Sequence, residues 1–259
     1  MAELTVPVVV MLCLAAAMAG WVDAVVGGGG LLLVPALLIG LPEAAPAYAL
    51  GTNKAVAVAG TAVSAVTYAR RSPVDVRLAL RFGVLACGSA ALGAAFASAV
   101  SKEFLQPLIM VLLLSVAVFV VARPDFGTVP GGRTAGRRRQ AAALLTAGAG
   151  IGFYDGLLGP GTGTFLVIAL VSLLHMTMLT ASATAKVVNV GTNLGALAVF
   201  TAGGTVLWQL APLMALFNMA GGWAGAHMAV KRGSGFIRIV LLTVVTLLVA
   251  RLAWDQWWA

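Results

Sequence analysis

Apolar residues run along this chain in long stretches, broken at near-regular intervals by short polar or glycine-rich segments. The stretches fall at about 4–40, 45–69, 76–99 and 103–122, and again at about 140–174, 177–201, 206–230 and 236–254. A helix needs ~20 apolar residues to cross a hydrocarbon core of ~30 Å. The pattern therefore predicts an all-α polytopic membrane protein whose runs divide into two fours. Between them lies RPDFGTVPGGRTAGRRRQ, rich in Gly, Pro and Arg and without apolar periodicity, which reads as a linker. The expected organisation is an N-terminal repeat at 1–122, an Arg-rich linker at 123–139 and a C-terminal repeat at 140–259.

Composition sharpens this. Of 259 residues, 61% are apolar and 9% charged, against ~25% charged in a soluble domain, which excludes soluble globular and disordered classes. Two cysteines, Cys13 and Cys87, lie inside apolar runs and read as small hydrophobes rather than a disulfide framework. The net charge of +8 would suggest nucleic acid in a soluble protein. Here the arginines sit in short loops and read as topology signals, so the expected partner is the lipid bilayer and no nucleic acid. The opening MAELTVPVVVMLCL lacks a basic n-region, so the first segment is expected to be retained.

Sliding the second half over the first by 132 residues, the separation of Asp23 and Asp155, aligns Gly20 with Gly152, Gly27 with Gly159 and Gly29 with Gly161. The same offset carries Thr52 onto Thr184, Lys54 onto Lys186 and Gly93 onto Gly225. Apolar residues coincide by chance; paired Asp, paired Lys and a string of glycines do not. This is an internal duplication, a form common among secondary transporters.

The first run of each half is too long for one span: residues 4–40 would make ~55 Å of helix. Each is interrupted by glycine, GGGG at 27–30 and GPGTG at 159–163, which predicts a broken or re-entrant first helix followed by about three full spans. Basic residues then orient the halves. Arg70, Arg71 and Arg77 follow the second run of half one, whereas TAGGT at 201–205 carries no charge; Lys231, Arg232 and Arg238 follow the third run of half two. With basic loops cytoplasmic, the repeats are pseudo-symmetric and inverted, and the linker is cytoplasmic.

Ionisable residues away from loop ends are Asp23 and Asp155, just before the glycine breaks, and Lys54 and Lys186, each ~14 Å into its run and so near the bilayer centre. A lysine there costs ~2.5–3.5 kcal/mol on insertion scales, so something must offset it. One reading is a pair of buried salt bridges, Asp23 with Lys54 and Asp155 with Lys186, or crossed between halves. The other is that the ammonium groups, with backbone donors at Gly28, Gly29, Gly30, Gly161, Thr162 and Gly163, attract a small anionic substrate. The two readings overlap, and Asp23 and Asp155 are then salt-bridge or proton-coupling groups. Polar neighbours Thr52 and Asn53 precede Lys54, and Asn189 and Asn193 share a helical face with Lys186. Such a stripe binds an oxyanion or joins helices.

His175 and His227 stand apart from any Cys or carboxylate cluster, so no metal site is expected. The glycine-rich segments lack the full dinucleotide or P-loop patterns, and no HExxH or GxSxG occurs. No cofactor is expected, and an enzyme is disfavoured. A channel-like anion facilitator and a non-transport membrane enzyme or assembly subunit are the alternatives to a carrier, with homo-oligomerisation open.

GWVDAVVGGGGLLLVPALL at 20–38, GTNK at 51–54, GFYDGLLGPGTGTFL at 152–166 and ATAKVVNVGTN at 183–193 resemble the TSUP family, the TauE/SafE sulfite and sulfonate exporters. The resemblance covers nearly the whole chain. It implies a multi-pass carrier of the bacterial inner membrane that moves small sulfur-containing anions such as sulfite or sulfoacetate, in the direction of export. The first-half GGGG lacks the threonines of GPGTGT, so the halves need not contribute equally.

Overall fold

The computed structural model describes residues 5–72, 74–97, 136–159 and 161–258, and every regular element among them is helical. The fourth apolar run, at 103–122, and the linker as far as residue 135 lie outside the described residues.

The first run breaks into α1 (Val6–Val26) and α2 (Gly30–Gly40). Pro7 lies in the first turn of α1, and Gly27 ends the helix in the left-handed region at φ 79°, its N–H donating to the Asp23 carbonyl. The chain then doubles back. Gly40, at the far end of α2, lies against Leu12 and Met11 of α1, so the two helices form a hairpin with its tip at residues 27–29. Helices α3 (Pro46–Ala69) and α4 (Val76–Ala97) follow, α3 opened by Pro46 at its first position.

The first run of the second half behaves alike. It comprises α5 (Arg137–Ala143), a π-helical stretch (Leu144–Gly150), α6 (Ile151–Leu157) and, after a glycine break, α7 (Thr162–Leu174). Arg139 near the start of α5 hydrogen-bonds His175 just beyond α7, so this run too closes on itself. The remaining elements are α8 (Met178–Ala202), capped by the Thr177 hydroxyl accepting from the Thr180 N–H, and α9 (Ala211–Trp258), kinked at Gly233 with φ 73°. The apolar runs at 206–230 and 236–254 are thus one helical course with a break between them.

By length and composition α1 and α4 can each cross a membrane, while α2 and α7 are shorter apolar helices. Helices α3 and α8 are as long, at 24 and 25 residues, but carry the lysines and their polar neighbours. The starts of α3 and α8 are 132 residues apart, as Pro46 and Met178, and so are those of α2 and α7, as Gly30 and Thr162.

Packing shares that spacing. Gly20 of α1 backs onto the main chain of Asn218 and Gly222 in α9, and Gly152 of α6 backs onto Ala86 of α4. Residues 20 and 152, and 86 and 218, are again 132 apart. At these points backbones touch without side chains between them, the usual way apolar helices gain van der Waals contact when lipid supplies no hydrophobic drive. The result is two helical hairpins packed against α3, α4, α8 and α9.

Candidate functional site

The two hairpin tips meet inside the molecule. The Gly163 N–H donates to the Gly27 carbonyl at 3.1 Å, and the Thr164 hydroxyl donates to the Val26 carbonyl at 2.8 Å. A Cβ on Gly27 would sit 2.2 Å from Gly163 Cα, so this contact exists only because both positions are glycine.

Around the crossing stand three buried ionisable residues, Lys54, Asp155 and Lys186, and the partly exposed Asp23, and they pair across the halves. Lys54 Nζ of α3 lies 2.8 Å from Asp155 Oδ2 of α6, and Lys186 Nζ of α8 lies 3.0 Å from Asp23 Oδ2 of α1. Of the two pairings the sequence leaves open, the structure adopts the crossed one. A hairpin from each half is thereby tied to a long helix of the other.

The geometry of each pair follows from its hairpin. Asp155 sits in the last turn of α6, where Thr162, the first residue of α7, donates from its hydroxyl to Asp155 Oδ1 at 2.6 Å or to the Gly159 carbonyl at 2.7 Å. Lys54 reaches Asp155 Oδ2 beside Gly159, close in distance but outside hydrogen-bonding alignment, so charge rather than a directed bond holds that end. Both side chains are sealed from solvent. Lys186, by contrast, donates to Asp23 twice, to Oδ2 and to its main-chain carbonyl. Thr61 of α3 adds a 3.3 Å bond to Asp23 Oδ2, and the Asp23 side chain keeps 16% of its surface exposed. Tyr68, fully buried, donates to the Ala24 carbonyl and fixes α1 against α3 at this level.

The other residues singled out in the sequence divide. Gly28 and Gly29 are buried at the first tip, and no acceptor among the described residues takes their N–H groups. Gly30 opens α2, and Gly161 caps α7 at φ 80°. Asn53 is buried, and its Oδ1 has no partner among the described residues. Asn189 and Asn193 are buried on α8, where the Asn189 side-chain oxygen accepts from Thr192 at 3.1 Å. Thr52 does not join the ion pairs: its hydroxyl oxygen accepts the Leu207 N–H at 3.0 Å and anchors the loop before α9. Thr61, Thr164 and Tyr68 are not among the residues that the sequence singles out. Thr61 could have been, since it lies seven positions after Lys54 on one face of α3 and is 132 positions before Asn193.

Among the described residues no cluster of His, Cys, Asp and Glu is placed to hold a metal ion. What the arrangement offers instead is two desolvated ammonium groups, each neutralised by one carboxylate, at the meeting point of two helix breaks. An anion entering there has cations to meet, provided a carboxylate gives way.

A family model described as Sulfite exporter TauE/SafE matches residues 12–252. The chain belongs to this family. A Sinorhizobium protein named probable membrane transporter protein ORF9 is 35% identical over 98% of this chain and 96% of its own length. A probable membrane transporter protein of Haemophilus influenzae is 32% identical over 93% of this chain and 92% of its own. The probable membrane transporter protein YfcA of Escherichia coli K12 is 31% identical over 93% and 88%. No solved structure matches. This TauE/SafE-family chain is accordingly a membrane transporter rather than an enzyme.

Proposed function

We propose that this transporter is a multi-pass protein of the bacterial inner membrane that exports small sulfur-containing anions, sulfite and sulfonates such as sulfoacetate, by alternating access between two inverted repeats. The crossed ion pairs carry the reading. They place the only buried cations among the described residues at the contact between the two glycine breaks, each cation held by the opposite half. Substrate-sized anions bound at such a junction touch both halves at once, which is what rocking of one repeat against the other requires.

Inversion is supported by which ends lie together. Arg71, just past α3, bonds His227 of α9 at 3.2 Å, so the basic segments after α3 and around 231–232 share one face. Thr52, near the start of α3, bonds Leu207 in the uncharged region before α9. Basic loops then gather on one side, taken as cytoplasmic, and the two hairpins enter from opposite sides.

In this reading Lys54 and Lys186 are the anion-binding cations. Gly28, Gly29, Gly30, Gly161, Thr162 and Gly163 line the breaks, with Thr52, Asn53, Asn189 and Asn193 as the polar surround. A carboxylate and a substrate anion cannot share one ammonium without repulsion, so loading needs Asp23 or Asp155 to be protonated or displaced. That makes the aspartates the coupling groups. Export of a monoanion from a negative interior gains ~2.3 kcal/mol per 100 mV, so no nucleotide is needed.

The test is flux of radiolabelled sulfite and taurine-derived sulfonates into inside-out proteoliposomes under an imposed potential, for wild type and for Lys54→Ala and Lys186→Ala variants that remain monodisperse. Saturable flux with counterflow, lost in both variants, is expected, and Asp23→Asn is expected to flatten its pH dependence. Flux intact in both lysine variants overturns the site. Unsaturable flux without counterflow overturns the carrier in favour of a facilitated pore.

A further inference from the structure

Between α3 and α9 an outward-facing groove of about 370 Å³ runs along the molecule. One wall is the apolar flank of α3, Ala62, Val63 and Val66; Trp223 of α9 faces it; Arg70 and Arg71 close the end. From Ala62 to Arg70 the wall is ~12 Å long. Val66 and Trp223 are each about half exposed, at 49% and 56%, which in a membrane transporter means exposed to acyl chains.

The charged end is built and, among the described residues, unneutralised. Among the described residues the salt bridges are Lys54–Asp155 and Lys186–Asp23, so neither arginine meets a carboxylate. Asp75, the nearest acid in sequence, spends Oδ1 on the Leu78 N–H. Arg71 is held by His227, which must accept through Nε2 because a guanidinium only donates. The His227 ring in turn lies 5.5 Å from the Trp223 ring, so one Arg is fixed against the groove wall with donors to spare. An apolar trough ending in two adjacent guanidinium groups is complementary to one amphiphile chemistry, an alkyl chain carrying a phosphate.

We propose that this groove binds an anionic phospholipid of the surrounding leaflet, with an acyl chain along Ala62, Val63 and Val66 and the phosphate on Arg70 and Arg71. The site is independent of the anion pathway and does not rest on it. A second arginine pair, Arg77 and Arg81, lines a broader surface with Leu80 and Val84, but all four residues come from α4, with no second wall from another helix among the described residues. That pair serves as the control.

The experiment is native mass spectrometry of the detergent-purified full chain mixed with equimolar phosphatidylglycerol and phosphatidylcholine. Selective retention of phosphatidylglycerol is expected, weakened about thirtyfold in Arg70→Gln/Arg71→Gln, since each basic group near a lipid phosphate contributes about a fivefold factor. Arg77→Gln/Arg81→Gln, which removes the same net charge, is expected to leave retention unchanged. Val66→Trp fills the apolar wall while keeping both arginines, and is expected to reduce retention as well. Equal retention of the two lipids, unchanged retention in Arg70→Gln/Arg71→Gln or Val66→Trp, or equal loss in the control pair each overturn the proposal. So does full competition by inorganic phosphate, which would mean a free-phosphate site with no role for the groove.

Discussion

Lys54–Asp155 and Lys186–Asp23 occupy positions that one offset of 132 residues interconverts, yet they are built differently. The first is sealed, 2% and 3% exposed, with Thr162 clamped on the free carboxylate oxygen at 2.6 Å. The second has a thoroughly bonded lysine but a carboxylate with 16% of its surface open and a longer threonine bond of 3.3 Å. The same charges recur at that offset, and local burial has made one pair a strut and the other a pair that water can reach. The second half carries the threonine-containing break, GPGTGT, and the first carries GGGG; the threonine on Asp155 comes from that difference.

The two halves differ most at their tips. Gly27 and Gly159 are equivalent, and both have positive φ, 79° and 86°. A methyl on Gly27 would meet Gly163 Cα at 2.2 Å and Thr164 N at 2.7 Å, all backbone, whereas on Gly159 its nearest neighbour is the movable Lys54 ammonium at 3.0 Å. Gly159→Ala is expected to cost the ~1–2 kcal/mol of a left-handed non-glycine residue. Gly27→Ala adds an overlap that rigid backbone cannot relieve, beyond the ~1–3 kcal/mol of ordinary overpacking. The monodisperse fraction on size-exclusion chromatography and the melting temperature should fall far more for Gly27→Ala; equal losses would remove the asymmetry at the tips.

Removing one lysine is the next largest step. Lys54→Ala strands Asp155 as a sealed, unpaired carboxylate, for which ~3–5 kcal/mol is typical. Lys186→Ala strands Asp23, which keeps Thr61 and some solvent, so a smaller loss is expected. Adding Asp155→Ala to Lys54→Ala should recover most of the stability, while adding Asp23→Ala should not. Denaturation midpoints of the four proteins check this, and rescue by Asp23→Ala would return the pairing to within each half.

Run lengths alone made the broken first helices legible, because a 37-residue apolar run has nowhere else to go at membrane depth. Unusual residue types at a fixed spacing likewise exposed the Asp and Lys pairs. Which Asp meets which Lys was not legible, since pairing depends on how hairpins cross and spacing along a chain says nothing of that. Nor could the sequence tell that Gly27, rather than its neighbours in GGGG, is the glycine the opposite hairpin fills. The placement of Thr52 was recoverable: two positions from Lys54 is ~200° around a helix, so its side chain points away, toward Leu207. The π-helical turn at Leu144–Gly150 left no periodicity to find in LLTAGAG.

The finest probe of the two pairs is their threonines. Valine keeps the shape of threonine and deletes the hydroxyl, so Thr162→Val and Thr61→Val test one hydrogen bond each. At Asp155 the lost donor serves a carboxylate sealed from bulk solvent, and leaving such a group short costs ~1–3 kcal/mol. At Asp23 the bond is 0.7 Å longer, taking 3.3 against 2.6 Å, and the oxygen it serves also accepts from Lys186. Thr61→Val is therefore expected to shift the melting temperature by less than half as much as Thr162→Val in the same detergent. An equal or larger shift for Thr61→Val would mean that Asp23 depends on its protein partners as fully as Asp155 does, and its exposed surface would then have no energetic weight.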